Sequence, residues 1–480
     1  MLKRLASTTR TRPLCVDLDG TLLRGDLLVE SALALLKLNP LYLFLLPLWL
    51  LRGKARMKAE IAARVTLDPR LLAYNAPFVA WLRRQKARGR EIVLATASNE
   101  KFARAVAAHL KLFDAVIASN GADNLKGARK LARLEEEFGK GQFDYAANGR
   151  CDLPIWKSAA RAVVVNPERG VLARLSGFAD VEQVFDGRGR GWKAWLRAMR
   201  PHQWLKNVLV FVPLVLAHRV FEPQLIAQAA IAFVAFGLCA SSVYLLNDLL
   251  DLSADRQHPV KRNRPFAAGD VPLTGGLMLA PLLLAAAFGL ALLLPVQFLA
   301  VLGAYYACTL AYSLYIKRTL LFDVIVLAGL FTARVIAGGA ATGIPISFWL
   351  LAFSMSLFLS LALVKRFVEL KSLPRTRNGA AGRDYITLDL ETLSQFGIAS
   401  GYMAVLVLAL YIDSKAVEEL YGHPQVIWFL CPLVLYLVSR IWLLARRGEM
   451  HDDPVVFAVT DRRSLLAAAA GALLLVAATL

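Results

Sequence analysis

Cysteine is scarce and scattered. The five cysteines, Cys15, Cys151, Cys239, Cys308 and Cys431, form no C-x-x-C pair, which argues against both a disulfide framework and a zinc site. Acid is the minority charge: 36 Asp and Glu stand against 56 Lys and Arg, a net charge of +20. No nucleic-acid module accompanies that excess. The basic residues cluster between apolar spans, so they read as membrane topology and as partners for anionic substrates. An apolar signal core is also missing: Met-Leu-Lys-Arg-Leu-Ala-Ser leads into polar sequence, and no cleaved signal peptide is expected. Apolar sequence, by contrast, is abundant. With 57% hydrophobic residues and a mean hydropathy of +0.50, the chain is too apolar for a soluble globule. Its 480 residues leave room for two or three units of about 150 residues each.

The densest charge lies in Asn247-Asp-Leu-Leu-Asp-Leu-Ser-Ala-Asp-Arg-Gln-His-Pro-Val-Lys-Arg-Asn-Arg-Pro265, where an apolar segment meets water. Asn247, Asp251 and Asp255 recur at i, i+4 and i+8, and Asp248 lies three residues before Asp251. In a continuing helix these oxygens share one face. Carboxylates that close repel unless a cation sits among them, and hard oxygen ligands suit Mg²⁺ bridging to a diphosphate. Lys261, Arg262 and Arg264 follow, suited to phosphate oxygens. The plain alternative is a solvated loop between membrane helices. Acids in helical register ahead of a basic run point instead to a diphosphate site.

Residues of about 10–185 read as an α/β domain. Leu14-Cys-Val-Asp-Leu-Asp-Gly-Thr-Leu22 is a buried strand running into a tight turn, with Asp17 and Asp19 at the strand's carboxyl end, where open α/β sheets place their sites. Asp17 could attack a phosphoryl group while Asp19 protonates the leaving oxygen. The full D-x-D-G-T-L after an apolar strand resembles motif I of the haloacid dehalogenase superfamily of phosphatases. That resemblance implies further roles. Thr96, with Ser98 as the other candidate, lies in Glu91-Ile-Val-Leu-Ala-Thr-Ala-Ser98 and would bind phosphate; Lys126 would neutralise the transferred group. Asp144-Tyr-Ala-Ala-Asn-Gly-Arg-Cys-Asp152 resembles the acidic G-D-x-x-x-D motif, with Asn148 in the usual first acid position. An amide oxygen still ligates Mg²⁺, with less electrostatic pull, so Asp17, Asn148 and Asp152 would form the metal set. The family's helical cap would occupy about 26–85. Within it Leu36–Arg52 is apolar but interrupted by Pro40 and Pro47 and short of a span. It either dips into the bilayer interface or packs on the catalytic core.

Phe185-Asp-Gly-Arg-Gly-Arg-Gly191 is a glycine-rich basic linker. Residues 186–200 read as that linker followed by an interfacial helix bearing Trp192 and Trp195. Residues 201–480 read as an all-α membrane domain of about nine spans, beginning near 205, 225, 274, 297, 320, 346, 394, 424 and 464. Alternate connections are rich in Lys and Arg, which places the N-terminal domain and both sites on the cytosolic side of the cell membrane. Lys206 and Asn207 stand at the mouth of the first span; Lys317 precedes Asp323, with Arg334 deeper along the fifth span. Lys365, Arg366 and Glu369 open a basic loop running through Arg383 and Tyr385. Charges inside spans are costly, so functional pairing is the default expectation.

Asn-Asp-x-x-Asp-x-x-x-Asp at 247–255 followed by Lys-Arg-x-Arg-Pro at 261–265 resembles the first aspartate-rich motif of the UbiA-type intramembrane prenyltransferase superfamily, from about residue 195 onward. The second acid motif of the aromatic prenyltransferases is missing from the 365–385 loop. Arg200-Pro-His-Gln-Trp-Leu-Lys-Asn207, Lys365-Arg-Phe-Val-Glu369 and Asp453-Pro-Val with Asp461-Arg462 look like the decaprenyl-phosphate phosphoribosyltransferase branch. The resemblance implies Mg²⁺ held by Asp248, Asp251 and Asp255 with Asn247 in support. It implies phosphoribosyl diphosphate as donor, a polyprenyl phosphate as acceptor, and basic groups such as Lys206, Lys365 and Arg366 holding phosphates. The rival readings are a prenyltransferase joining a polyprenyl diphosphate to an aromatic or other acceptor, and a non-catalytic lipid-binding or transport protein.

Overall fold

Leu14-Cys-Val16 is wholly buried and forms the central strand of a parallel sheet. The computed structural model describes residues 12–121, 123–187, 191–372, 384–414, 417, 420–450 and 454–479. Strand β1 (Leu14–Val16) is followed by helices α1 (Leu27–Leu38), α2 (Tyr42–Leu51), α3 (Lys54–Arg64) and α4 (Ala76–Ala87). Then come β2 (Ile92–Asn99), α5 (Glu100–Leu110), β3 (Ala115–Ser119), α6 (Ala128–Phe138) and β4 (Asp144–Ala147). The series closes with α7 (Leu153–Ser158), β5 (Ala162–Val165), α8 (Val171–Leu175), β6 (Val181–Phe185) and α9 (Trp192–Met199). The sheet order is β3-β2-β1-β4-β5-β6, and every pairing is parallel. Both faces are covered by apolar clusters, which is why its strands read as unbroken apolar runs. The direction of winding reverses between β1 and β4, so the crevice outside their carboxyl ends is the expected ligand position.

Beyond α9 the chain is helical. A 3₁₀ run Pro201–Phe211 leads into α10 (Val212–Leu216), α11 (Pro223–Leu250), α12 (Leu252–Gln257), α13 (Pro265–Ala268) and α14 (Leu273–Ala291). After them come α15 (Val296–Leu314), α16 (Phe322–Thr342), α17 (Phe348–Lys371) and α18 (Leu390–Ile412), then helices Pro424–Ile427, Leu430–Arg447, Pro454–Thr460 and Arg462–Thr479. The chain divides into two compact units, Met1–Met199 with Tyr244–Leu279, and Arg200–Val243 with Ala280–Leu480. The aspartate-rich stretch therefore packs in the unit that carries the sheet.

Among the described residues, eight helices are long and apolar enough to cross a membrane, against about nine expected. The difference lies at the expected first span near 205, which is broken into the 3₁₀ run and the short α10. Pro201 and Pro213 each remove a backbone donor, and Lys206, Asn207 and Val210 turn inward. Eleven residues at about 2.0 Å and five at about 1.5 Å still extend roughly 30 Å, about the thickness of a bilayer core. The run lies close against α16, because a Cβ on Gly338 would come 2.0 Å from the Val210 carbonyl oxygen.

Candidate functional site

Asp17 leaves β1 on an extended backbone, and its N–H donates to the Ala146 carbonyl of β4 at 2.9 Å. The chain then tightens through Gly20, whose φ of +74° favours glycine; a Cβ there would lie 2.3 Å from Asn148 Nδ2. Lys130 Nζ donates to Asp17 Oδ1 at 2.7 Å and to the Tyr145 hydroxyl at 3.0 Å. Tyr145 in turn donates to Asp152 Oδ1 at 3.0 Å. Burial works against the Lys130 ammonium, but Asp17 and Asp152 hold its pKa above the ordinary range. Asp19 accepts from the Leu27 N–H at 2.8 Å and from Ser98 Oγ at 2.5 Å. Burial, with Asp26 nearby, pushes the Asp19 carboxyl up to about 7, so near neutral pH a large share carries a proton. Lys58 reaches in from α3 and donates to the Ala97 carbonyl and to Asn124 Oδ1. Leu28, Ser31, Lys58, Ser98, Asn99 and Phe102 line the cleft.

These contacts redistribute the expected roles. Lys126 is exposed in the loop before α6; the lysine on Asp17 is Lys130, inside the helix. Thr96 is buried and its Oγ1 accepts from the Ser98 N–H at 3.0 Å, whereas the hydroxyl on Asp19 belongs to Ser98. Asn148 Oδ1 lies 3.4 Å from the Thr21 hydroxyl. Both Asp152 oxygens are engaged, one by Tyr145 and the other by the Gly149 N–H at 3.3 Å, and burial beside Asp17 pushes its carboxyl up to about 6. The Asp17 carboxylate and the Asn148 amide oxygen, at a turn that only glycine fits, suit a hard cation.

In the aspartate-rich stretch α11 ends at Leu250, and Asp251 caps α12 at φ −99° and ψ 14°. The helical course continues across this point, the Asp251 N–H donating to the Asn247 carbonyl at 2.9 Å and the Asp255 N–H to the Asp251 carbonyl at 2.8 Å. Arg264 Nη1 donates to Asp248 Oδ1 at 3.1 Å and to Asp255 Oδ2 at 2.8 Å, so one cationic nitrogen is shared by two carboxylates. Asp251 instead meets Lys37 of α1 at 2.9 Å. Burial raises the Asp255 carboxyl above its ordinary range, with Arg264 opposing. A point of positive charge within about 3 Å of both oxygens stands in for a divalent ion, so this pair fits Mg²⁺. Arg264 is therefore engaged by the acids; Lys261 is half-buried and Arg262 exposed. Among the described residues, no three His, Cys, Asp or Glu side chains converge on one ion position.

The second unit holds two buried polar networks. In one, Arg366 Nε meets Asp323 Oδ2 at 2.5 Å, the other Asp323 oxygen accepts from the Tyr385 hydroxyl at 2.5 Å, and Arg366 also donates to Tyr312 and Glu369. Asp323 is 0% and Arg366 1% exposed. The pairing keeps both charges tolerable in an apolar bundle. It joins four residues expected to bind substrate, but as a closed network and not as open phosphate ligands. In the other, Arg334 donates to Asn207 Oδ1 at 3.0 Å and to the Tyr305 hydroxyl at 2.9 Å. Asn207 Nδ2 is buried with no hydrogen-bond partner among the described residues, and Lys206 Nζ lies 5.5 Å from the centre of the Phe331 ring. Lys317 and Lys365 are half-buried. Arg383 lies outside the described residues.

Several of these groups escape a sequence reading. Lys130 carries one signal: Leu134, four residues on, shares its buried face. Lys37, Lys58 and Tyr305 carry none, because their partners are distant in sequence.

The chain matches the family model described as UbiA prenyltransferase family over residues 208–460 and the one described as haloacid dehalogenase-like hydrolase over residues 14–155. A Sinorhizobium fredii protein named "Uncharacterized protein y4nM" is 38% identical over 461 residues, 95% of this chain and 89% of that protein. The nodulation protein NoeC of Azorhizobium caulinodans is 36% identical over 275 residues, 57% of this chain and 89% of that protein. The decaprenyl-phosphate phosphoribosyltransferase of Mycobacterium tuberculosis is 37% identical over 273 residues, 56% of this chain and 88% of that protein.

Proposed function

Because the chain belongs to the UbiA prenyltransferase family and carries a haloacid dehalogenase-like unit ahead of it, we propose that it performs two consecutive steps on a membrane lipid. In the first, a 5-phosphoribosyl group passes from phosphoribosyl diphosphate to a polyprenyl phosphate. The lipid phosphate oxygen attacks the anomeric carbon as the bond to the diphosphate breaks; a phosphate anion is already a nucleophile and needs no general base. Asp248 and Asp255, with Asp251 and Asn247 in support, would hold Mg²⁺, which supplies Lewis-acid stabilisation of the departing diphosphate. Lys261, Arg262 and Arg264 neutralise donor phosphates; Lys206, Lys317 and Lys365 serve the anionic groups of the substrates. The sites face the cytosol.

In the second step the ribose 5-phosphate is removed. Asp17 attacks phosphorus, its charge held in place by Lys130, and the ester oxygen leaves with a proton from Asp19. Water, giving its proton back to Asp19, then cleaves the aspartyl phosphate. Asp17 and Asn148 would hold the cation of this step, and Ser98 and Lys58 orient the phosphoryl oxygens.

The observation that carries the transferase reading is the pair of carboxylates converging on one positive nitrogen, together with the relative named for phosphoribosyl transfer. Purified protein is incubated with radiolabelled phosphoribosyl diphosphate and polyprenyl phosphate, with and without Mg²⁺. The expected result is Mg²⁺-dependent labelling of the lipid, reduced at least ~100-fold by Asp248→Asn. Prenylation of 4-hydroxybenzoate from a polyprenyl diphosphate, with no labelling from the sugar donor, establishes the aromatic-acceptor reaction instead. No turnover with either donor leaves a lipid-binding or transport protein.

A further inference from the structure

Helix α2 is apolar on every side, but it needs to bury only one of them. Tyr42, Leu46 and Trp49, at i, i+4 and i+7, turn inward onto Leu35, Ile61 and Val65 of the cap. Leu38, Leu41, Leu43, Phe44, Leu48 and Leu51 are each more than half exposed. An outer face of this kind on a water-washed cap is a liability. At about 1.5 Å per residue its 10 residues extend roughly 15 Å, half of a bilayer core, so it cannot cross.

The same compact unit holds the ends of two helices long and apolar enough to cross a membrane, the end of α11 and the start of α14. Lys37, near the end of α1, pairs with Asp251 at 2.9 Å, one residue past the end of α11. Glu30 of α1 pairs with Arg256 of α12 through two contacts of 2.8 and 2.9 Å, and both side chains are buried. These two ion pairs fix α1 to the foot of the span. Tyr42 lies five positions after Lys37, so α2 begins at most about 18 Å along the chain from the Lys37 backbone. The flanks carry the matching charge: Arg52, Lys54 and Arg56 are exposed, and no acid occurs between Glu30 and Glu60. Apolar side chains edged by cations suit acyl chains beneath anionic headgroups.

We propose that α2 lies in the bilayer interface as a monotopic helix, its outer face among the acyl chains, and holds the α/β cleft at headgroup depth. A phosphate monoester carried on a membrane lipid is then the substrate class that this cleft receives. The insertion stands apart from the two-step reading; the substrate class rests on it.

The test uses the full chain in nanodiscs of phosphatidylcholine and phosphatidylglycerol containing a diazirine-bearing lipid. Irradiation followed by peptide mapping should place lipid adducts on residues 41–51 as well as on the spans. Adducts confined to the spans, with residues 41–51 modified by a water-soluble reagent, overturn the proposal. Cross-links joining residues 41–51 of two chains in place of lipid adducts overturn it in favour of a second copy. The combined substitutions Leu43→Gln, Phe44→Gln and Leu48→Gln leave the inward stripe intact. They should leave hydrolysis of soluble p-nitrophenyl phosphate unchanged and lower hydrolysis of a lipid-borne phosphate monoester at least tenfold. Equal loss on both substrates counts against the headgroup-depth role. If the wild-type chain hydrolyses neither, the phosphatase step has failed, and the adduct map still decides the insertion.

Discussion

Lys126 and Lys130 stand four residues apart in one basic segment and differ in every physical respect that bears on phosphate chemistry. Lys130 is 3% exposed and touches both Asp17 and Tyr145; Lys126 is exposed. A buried ammonium at 2.7 Å from a carboxylate fixes that carboxylate's rotamer and cancels charge as a phosphoryl group arrives. Lys130→Met should therefore lower phosphate-monoester hydrolysis by at least ~100-fold, while Lys126→Met stays within about threefold of wild type. Steady-state hydrolysis of p-nitrophenyl phosphate by the two variants checks this, and the reverse order contradicts it. Motif I was legible because strand, turn and acid pair are adjacent in sequence. The lysine was not, because four residues decide between a loop and the first turn of a helix. In the aspartate-rich stretch, spacing alone predicted a shared face for Asn247, Asp251 and Asp255. In the structure Arg264 joins Asp248 and Asp255, seven residues apart, while Asp251 pairs with Lys37.

At the scale of elements, apolar run length located eight membrane-length helices, and the segment before them differs in form. Pro201–Phe211 is apolar enough to read as the start of a span, but Pro201 at its start, Pro213 just beyond it and the inward-turned Lys206 and Asn207 accompany a stretched 3₁₀ course. What lets it lie against α16 is the missing side chain at Gly338, a contact invisible to periodicity because the Val210 carbonyl is far away in sequence. Gly338→Val forces the run outward and strains the neighbouring Arg334–Asn207 hydrogen bond. The expected cost is about 1–3 kcal/mol, as for other overpacked sites, seen as a lower unfolding midpoint in detergent. A midpoint equal to wild type shows that the run has room to move. The cap helix α2 reads differently again: its composition excluded neither a packed nor a membrane-facing role, and only the exposed outer face separates them.

For the whole molecule, the proposed function has a sheet-based unit and a UbiA-family unit on one chain carry out two chemistries in sequence. Transfer of a phosphoribosyl group leaves a phosphate monoester on the lipid, and a phosphate monoester is what an aspartate nucleophile with an acid partner attacks. Residence on one chain raises the local concentration of the second site around the first site's product. The relative named y4nM aligns with 95% of this chain, an alignment that takes in both units. The order of the steps follows from what each leaves behind, and one comparison tests it most directly. Wild-type protein and Asp17→Asn are given phosphoribosyl diphosphate, polyprenyl phosphate and Mg²⁺, and the lipid products are weighed by mass spectrometry. The wild type should yield polyprenyl-phosphoryl-ribose and Asp17→Asn the same lipid one phosphate heavier, in comparable total amount. Identical phosphorylated products from the two proteins contradict the account.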